Sequence, residues 1–574
     1  MTEKRWIYKP IPPTDKIKQV AEAINVSPEI ATLLAQRGIN TFDEAKAFFR
    51  PDLSNLHDPF LMKDMDVAVK RLTKAIESGE KIMIYGDYDV DGTTSVATFY
   101  GFLKNHVYQN ASDCPLEFYI PDRYAEGYGV SQAGVEKAAN EGFGLIISLD
   151  CGIKSKEKIT WAKEHGVDFI VCDHHRPDDN DLPPAIAILD PKRADCLYPY
   201  KELTGCGVGF KLLQAYCQTH SISATLLLPY LDLVVTSIAC DIVPITGENR
   251  IMAYYGLQQL NSNPRTGLKA LIQSASLAGK MDITKVVFGL GPRINAAGRI
   301  KHAYDAVNLL LTDNEEEATN FANIIAKHNT DRKGFDTDIT AEALAIIEDN
   351  AMLKSAKSTV LFKNDWHKGV IGIVASRCIE KYHRPTIILT ESHGHAAGSA
   401  RSVPGFDVYD AIEECAEHLI QFGGHTFAAG LTLEISEIEN FKRKFEEVVN
   451  RKILPEQLSP MIDIDLKLPL IEISDKFHRI MCQMSPFGPQ NMTPVFVSEN
   501  VYLHGQPIKM KEKHLKINVF QEGSPAYTCV GFGMVEDYFN HLHEGKPFSI
   551  CYTIEINEWQ GRKSFQLMLK DIKV

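Results

Sequence analysis

Between Lys81 and Leu189 the apolar runs KIMIY, LEFYI, LIISL, DFIVC and AIAIL alternate with the amphipathic segments TTSVATFYGFLKNH, SQAGVEKAANEG and SKEKITWAKEHG. Runs so short and so continuously apolar read as strands buried on both faces. The segments between them are long enough for a crossover helix, which predicts a parallel sheet with helices on both sides. A second stretch of the same rhythm, STVLF, IGIVASRCIEKY and PTIILT, begins at Ser358 and continues to about residue 455. Residues 301–350 are charged, carry no proline and read as a long connecting helix or helix pair. After Pro460 come VFVSENVYLHG, HLKINVF, AYTCVGF, FSICYTIEIN and SFQLMLKDI, which predict a small barrel such as an OB-fold. Upstream, residues 14–75 are helically periodic, with Ser27 as an N-cap. The expected fold class is therefore α/β: two α/β domains joined by a long helix, plus a C-terminal β-barrel. The expected bounds are a helical cap over 1–75, a first α/β domain over 76–300, the connecting helix over 301–350, a second over 351–457 and the barrel over 458–574.

A chain of 574 residues allows three or four such domains. Its net charge of -13 excludes a simple nucleic-acid coat protein, but leaves room for an enzyme with a local basic groove. Local basic stretches exist at Lys509, Lys511, Lys513 and Lys516, and at Arg562 and Lys563. The 12 cysteines include no Cys-x-x-Cys pair, which argues against a zinc ribbon or a disulfide scaffold. The opening MTEKRWIYKP lacks an apolar core, and the run Leu226–Val243 is interrupted by Pro229, Asp232 and Asp241. The expectation is a cytoplasmic protein without a membrane span.

The chemistry lies where the strands end. The first run closes on Asp87-Tyr88-Asp89-Val90-Asp91-Gly92, the third on Asp150 and the fourth on Asp173-His174-His175. In an open α/β sheet ligands bind beyond the carboxyl ends of the strands, so these groups should converge. If the first segment is extended, Asp87, Asp89 and Asp91 share a face. Carboxylates at such density must be protonated or neutralised by cations, and a donor set of oxygen and imidazole suits Mn2+ or Mg2+. There is no phosphate-binding GxxxxGK[ST] and no GxSxG elbow. Gly205-Cys206-Gly207-Val208-Gly209 lacks the third glycine of a dinucleotide loop and reads as a tight helix start.

DYDVDG at Asp87–Gly92 and DHH at Asp173–His175 resemble the DHH phosphoesterase superfamily. Within it, IPDRYAEGYG from Ile120, SIACDIVPITGENR from Ser237, GPRINAAGR from Gly291, WHKGVIGIVASR from Trp366, GSARS from Gly398, FGGH from Phe422 and SPFGPQNMTPVF from Ser485 are similar to the RecJ family. The resemblance implies a single-stranded-DNA-specific 5′→3′ exonuclease that yields mononucleotides in DNA repair and recombination. It implies two divalent ions, Mn2+ or Mg2+, assisting attack of water on phosphorus. Their ligands would be Asp89, Asp91, Asp150, His174 and Asp241, with Asp87 assisting; His175 would join the catalytic set and, with Asp173, orient phosphate or ligands. Arg123, Ser399, Arg401 and His425 would receive substrate phosphate, and Arg293, Asn295 and Arg299 would line its path. Trp559, Arg562 and Phe565 would meet nucleic acid on the barrel. Single-stranded DNA is the implied partner, with a single-strand-binding protein and a helicase as candidates. An alternative is a phosphodiesterase for short oligonucleotides or cyclic dinucleotides, against which the barrel and GPRINAAGR count. A catalytically dead scaffold would have lost carboxylates that are all present here.

Overall fold

The computed structural model describes residues 3–109, 115–559 and 561–574; the side chain of Trp559, a candidate nucleic-acid contact, lies outside the described residues. Contacts divide the chain into two units. One holds Lys46–Asp331 with Met484–Met492; the other holds the residues up to Ala45, Arg332–Gln483 and Thr493–Val574. The chain begins with a strand, β1 (Arg5–Tyr8), and the helices Thr14–Ile24 and Pro28–Ala35, the latter capped by Ser27 accepting from Ile30 N–H.

The first unit is built on β2 (Lys81–Gly86), β3 (Leu116–Tyr119), β4 (Phe143–Leu149), β5 (Asp168–Cys172) and β6 (Ala187–Leu189). They form an all-parallel sheet in the order β3-β2-β4-β5-β6. The alternation of a strand distributes its side chains to both faces. Ile82 and Ile84 enter one apolar core, with the helices Val90–Phe102, Gly205–Thr219 and Leu231–Cys240; Met83 and Tyr85 enter another, with Val135 and Ile159. That is why the strands read as unbroken apolar runs. The apolar run at 226–243 is the helical turn Ala224–Tyr230, the helix Leu231–Cys240 and then Asp241.

The other unit contains a mixed sheet of β7 (Thr359–Phe362), β8 (Thr386–Ser392), β9 (His395–Arg401), β10 (Gln421–His425) and β11 (Ala428–Leu433), ordered β10-β11-β9-β8-β7. Only β7 and β8 run parallel. Next come β12 (Met461–Ile464), which pairs with β1, and β13 (Leu466–Lys467), β14 (Phe496–Leu503), β15 (Ile508–Met510), β16 (His514–Phe520), β17 (Tyr527–Gly531), β18 (Phe548–Trp559) and β19 (Arg562–Lys573). Beyond the sheet order β13-β14-β18-β19-β17-β16-β15, Tyr502 and Leu503 of β14 pair with Phe520 and Val519 of β16, joining the sheet back on itself. A single helix of 34 residues, Glu315–Glu348, is the long connection expected from the sequence. The N-terminal residues differ from the expected single cap. Trp6 in β1 donates to Asp571 Oδ2 at 2.7 Å, a partner at the far end of the chain that local periodicity does not reveal. Among the described residues no helix is long and apolar enough to cross a membrane.

Candidate active site

Asp87, Asp89 and Asp91 do not form an extended row. β2 ends at Gly86, Asp89 caps the helix Val90–Phe102 by accepting from Gly92 N–H at 3.0 Å, and Asp91 lies in the first helical turn. The cap wins because it satisfies amide protons that a helix start leaves without partners. Gly92 is needed for close approach: a Cβ there would lie 2.3 Å from Asp87 O. Asp91 is turned inward and held. Its Oδ2 accepts from Gly205 N–H at 2.7 Å, and its Oδ1 from Cys206 N–H at 2.9 Å and Ser237 Oγ–H at 2.7 Å. The glycine-rich segment is thus a helix N-terminus, capped by Thr204, whose free amides face a carboxylate.

Asp150 follows β4 in the left-handed region, φ 61°, which aspartate tolerates better than most residues. His174 Nε2 lies 3.2 Å from Asp150 Oδ1, 3.6 Å from Asp241 Oδ2 and 3.7 Å from Asp91 Oδ2. Donor atoms of Asp91, His174 and Asp241 all lie within 4.8 Å of one another, as do those of Asp150, His174 and His175. His175 Nδ1 donates to Asp173 Oδ1 at 2.7 Å, and Asp173 also accepts from the backbone of Ile153, His174 and His175.

The electrostatics follow from burial. Desolvation, and then the charge of a neighbouring aspartate, raises Asp87, Asp89, Asp150 and Asp241 above the ordinary carboxylate range. Desolvation pushes His174 down to about 4, against the pull of Asp91. His175 is up at about 9: burial opposes this, but Asp173 outweighs it. The residues fit a hard divalent cation. Among the described residues the buried His174 ring makes no hydrogen bond at either nitrogen although carboxylates surround Nε2, and the buried Asp87 Oδ2 also has no partner. Buried polar atoms left without partners cost free energy, and a cation shared among these donors would satisfy them.

The other predicted residues fall into separate places. Arg123 packs over the Tyr88 ring at 4.8 Å. Arg293, Asn295 and Arg299 lie on the helix Gly291–Ile300, which approaches Tyr88 so closely that a Cβ at Gly298 would be 2.8 Å from Tyr88 O. In the other unit, Ser399 and Arg401 share a face of β9, with Arg401 Nη1 donating to Ser399 Oγ at 2.9 Å. Register places Ser399 beside Gly430 and then Gly423, and Arg401 beside Ala428 and then His425. A Cβ at Gly423 would meet nothing within 4 Å, whereas one at Gly372 would lie 2.7 Å from Arg401 Nη2 and 2.9 Å from Ser399 Oγ, so the sheet is open at Gly423 and the start of the helix Ile371–Tyr382 meets Ser399 and Arg401. Phe565 packs on the His478 ring at 5.3 Å, while Arg562 is exposed. Sequence reasoning missed Thr204 and Ser237, which sit around Asp91, Tyr128, 3.0 Å from His175 Nε2, and Asp190 after β6. Tyr128 stands in IPDRYAEGYG, and Asp190 closes an apolar run as Asp150 does; both signals were readable.

Three family models match: the DHH family N-terminal domain over residues 81–238, the DHHA1 domain over 355–451 and the RecJ OB domain over 464–571. The single-stranded-DNA-specific exonuclease RecJ of Bacillus subtilis (strain 168) is 38% identical over 577 residues, spanning 100% of this chain and 71% of that protein. The chain belongs to the RecJ family. The RecJ exonuclease of Escherichia coli (strain K12) is 31% identical over 97% of this chain and 98% of its own length. The crystal structure of RecJ in complex with Mn2+ from Thermus thermophilus superposes with a TM-score of 0.84 at 26% identity, covering 99% of this chain and 79% of that one. A crystal structure of exonuclease RecJ bound to manganese has a TM-score of 0.60 at 30% identity over 71% of this chain and 98% of that one. The chain is accordingly a metal-dependent nuclease of the DHH phosphoesterase fold.

Proposed function

We propose that this chain digests single-stranded DNA from its 5′ end to mononucleotides, with two divalent cations, Mn2+ or Mg2+, in the acidic pocket. The observation that carries this reading is the buried His174 ring, without a hydrogen bond and ringed by Asp91, Asp150 and Asp241. Asp89, Asp91, Asp150, His174 and Asp241 would hold the cations, with Asp87 in support. Bound there, a divalent cation supplies Lewis acidity to a phosphoryl oxygen and to an attacking water. The chain's own residues do the positioning. Gly205, Cys206 and Ser237 fix Asp91, and Asp173 fixes His175.

Arg401, Ser399 and His425 form the receptor for the 5′-terminal phosphate, since a guanidinium and a hydroxyl side by side at a glycine-rich helix start suit a doubly charged anion. Arg123, Arg293, Asn295 and Arg299 contact the strand. Catalysis would fall in 76–300 and strand binding in 458–574. The enzyme acts in the cytoplasm in repair and recombination, with a single-strand-binding protein and a helicase as partners.

The test is digestion of single strands labelled at either end, with a duplex control, in Mn2+, Mg2+ or chelator. Label at the 5′ end should be released first as mononucleotide, the duplex should persist and chelator should stop the reaction. Release from the 3′ end would overturn the polarity. Arg401→Ala should lower kcat/KM on 5′-phosphorylated strands at least about tenfold, because one charge-assisted hydrogen bond is worth about 1.5–3 kcal/mol. Strands with a 5′-hydroxyl should change far less; equal loss on both would remove Arg401 from end recognition.

A further inference from the structure

Tyr128 is an exposed tyrosine that the fold goes to some length to hold. The residue is 56% exposed, yet its hydroxyl lies 3.0 Å from His175 Nε2. Gly127 and Gly129 flank it with φ of 86° and 79°, a backbone that turns back on each side of the ring and that other residues would adopt only under strain. The loop around it is tied down. Asp122 Oδ1 accepts from Tyr124 and Ala125 N–H, and Glu126 accepts from Asp122 N–H, the Tyr119 hydroxyl and the Ser131 hydroxyl. The Tyr124 hydroxyl donates to Arg299 O, and Gly129 N–H donates to Asp87 Oδ1 at 3.4 Å. The position of Tyr128 is therefore fixed from the same elements that hold the acidic pocket.

The bland account is a surface tyrosine that steadies a histidine. It leaves the location unexplained. His175 already has Asp173 on Nδ1, and that same nitrogen is 4.0 Å from Asp150 Oδ1. The phenol thus closes a chain of Asp173, His175 and Tyr128 that begins in the sheet and ends at the solvent-facing rim of the metal pocket. Both ring nitrogens of His175 are engaged, so the group at that rim able to meet a substrate is the phenol rather than the imidazole. A phosphate oxygen only accepts hydrogen bonds. A phenol oxygen can accept from a ring N–H while its own proton goes onward, so the Tyr128 hydroxyl, 3.0 Å from His175 Nε2, is placed to donate to that oxygen.

We propose that Tyr128 is a catalytic residue whose hydroxyl donates a hydrogen bond to a non-bridging oxygen of the scissile phosphodiester, with Asp173 and His175 positioning it. The proposal rests on the exonuclease reading above. Tyr128→Phe keeps the ring and removes the donor. In the Mn2+-loaded protein this variant should lose about ten- to a hundredfold in kcat on 5′-phosphorylated single strands, the range expected for one hydrogen bond to a charged group. KM should stay within about twofold, and the melting temperature and bound Mn2+ should match the wild type. A kcat within about twofold of wild type overturns the assignment. So does a kcat that falls in step with lost Mn2+, which would place Tyr128 in service of the cation. The same comparison on bis(4-nitrophenyl) phosphate, a bare phosphodiester, separates the two readings. A wild type that cleaves it but ignores DNA strands sinks the exonuclease reading, while the effect of Tyr128→Phe on the diester still decides the role of the phenol.

Discussion

Asp190 shows how much one buried carboxyl can matter here. It follows β6, is fully buried, accepts from Lys192 N–H through Oδ1 at 2.7 Å, and among the described residues leaves Oδ2 without a partner. Burial, and then the charge of Asp173, pushes it from 3.8 up to about 7. A carboxyl whose folded value is raised contributes stability that is complete below the unfolded value and lost as pH rises through the folded one. Asp190 should therefore cost stability increasingly between about pH 4 and pH 7 and stay costly above it. Asp190→Asn should be more stable than the parent at pH 8 by about 4 kcal/mol, and by less than half that at pH 5, at about 1.4 kcal/mol per pKa unit. Denaturant melts of the chelated protein at both values check this; a gain that grows as pH falls would contradict it. The reach of sequence reasoning is visible in the same residues. Asp150, His174 and Asp241 were legible because a strand-ending acid, a DHH and an ACDIVP segment each mark themselves. Thr204 and Ser237 were not, because their meaning lies in facing Asp91 from helices more than a hundred residues away. Asp190 repeats the signal of Asp150 in AIAILD but has no motif around it to draw the eye.

At the scale of elements, the site depends on how closely helix Gly205–Thr219 meets the end of β4. A Cβ on Gly205 would lie 2.5 Å from Asp150 Cβ and 2.6 Å from its Cα, so the amide of residue 205 reaches Asp91 only because no side chain intervenes. Gly205→Ala must separate the helix from Asp150, whose left-handed backbone leaves little room to adjust. Misplacing ligands by a fraction of an ångström weakens a cation site strongly, so the Mn2+ dissociation constant should rise at least about tenfold. Calorimetric titration measures it, alongside circular dichroism to show that the fold persists. An unchanged constant in a folded variant would mean that the contact is not what seats Asp150. This element was partly legible: GCGVG read as a tight helix start, and the structure makes it one. The strands of the first sheet, and β7 and β8 of the second, were legible from their apolar runs as well; β9, β10 and β11, rich in glycine and alanine, were not. The order of the second sheet and the pairing of β1 with β12 were not, since each joins strands that no local pattern relates.

At the scale of the molecule, a chain with net charge -13 must gather its nucleic-acid contacts locally. The C-terminal sheet offers a place. Lys509, Lys511 and Lys513 cluster around the hairpin of β15 and β16, with Lys516 following on β16. Beside them Phe532 is 66% exposed, with its ring edge-on to His514 at 5.1 Å. Lysines with an exposed aromatic ring are the elements of a single-strand track. Deleting the whole C-terminal region after about residue 455 would be a poor test of it. Arg250, on the helix that follows Asp241, stacks on Phe48 at 3.8 Å and donates to Ser485 O at 3.0 Å and Pro486 O at 3.3 Å. Ile245 N–H donates to Pro489 O at 2.9 Å. Truncation would strip these acceptors from the loop that carries Asp241, so it should impair cleavage of even the shortest substrates. Replacing Lys509, Lys511, Lys513 and Lys516 together by alanine leaves that loop intact. The quadruple variant should bind long single strands more weakly, and the slope of log K against log salt should flatten by about 0.7 for each phosphate that is no longer neutralised. Turnover of very short oligonucleotides, which do not reach the track, should stay within about twofold of the parent. Binding isotherms across a salt series, paired with kinetics on short and long strands, measure all three. An unchanged slope would move the track elsewhere on the sheet, with exposed Arg562 and Lys563 of β19 the next to replace.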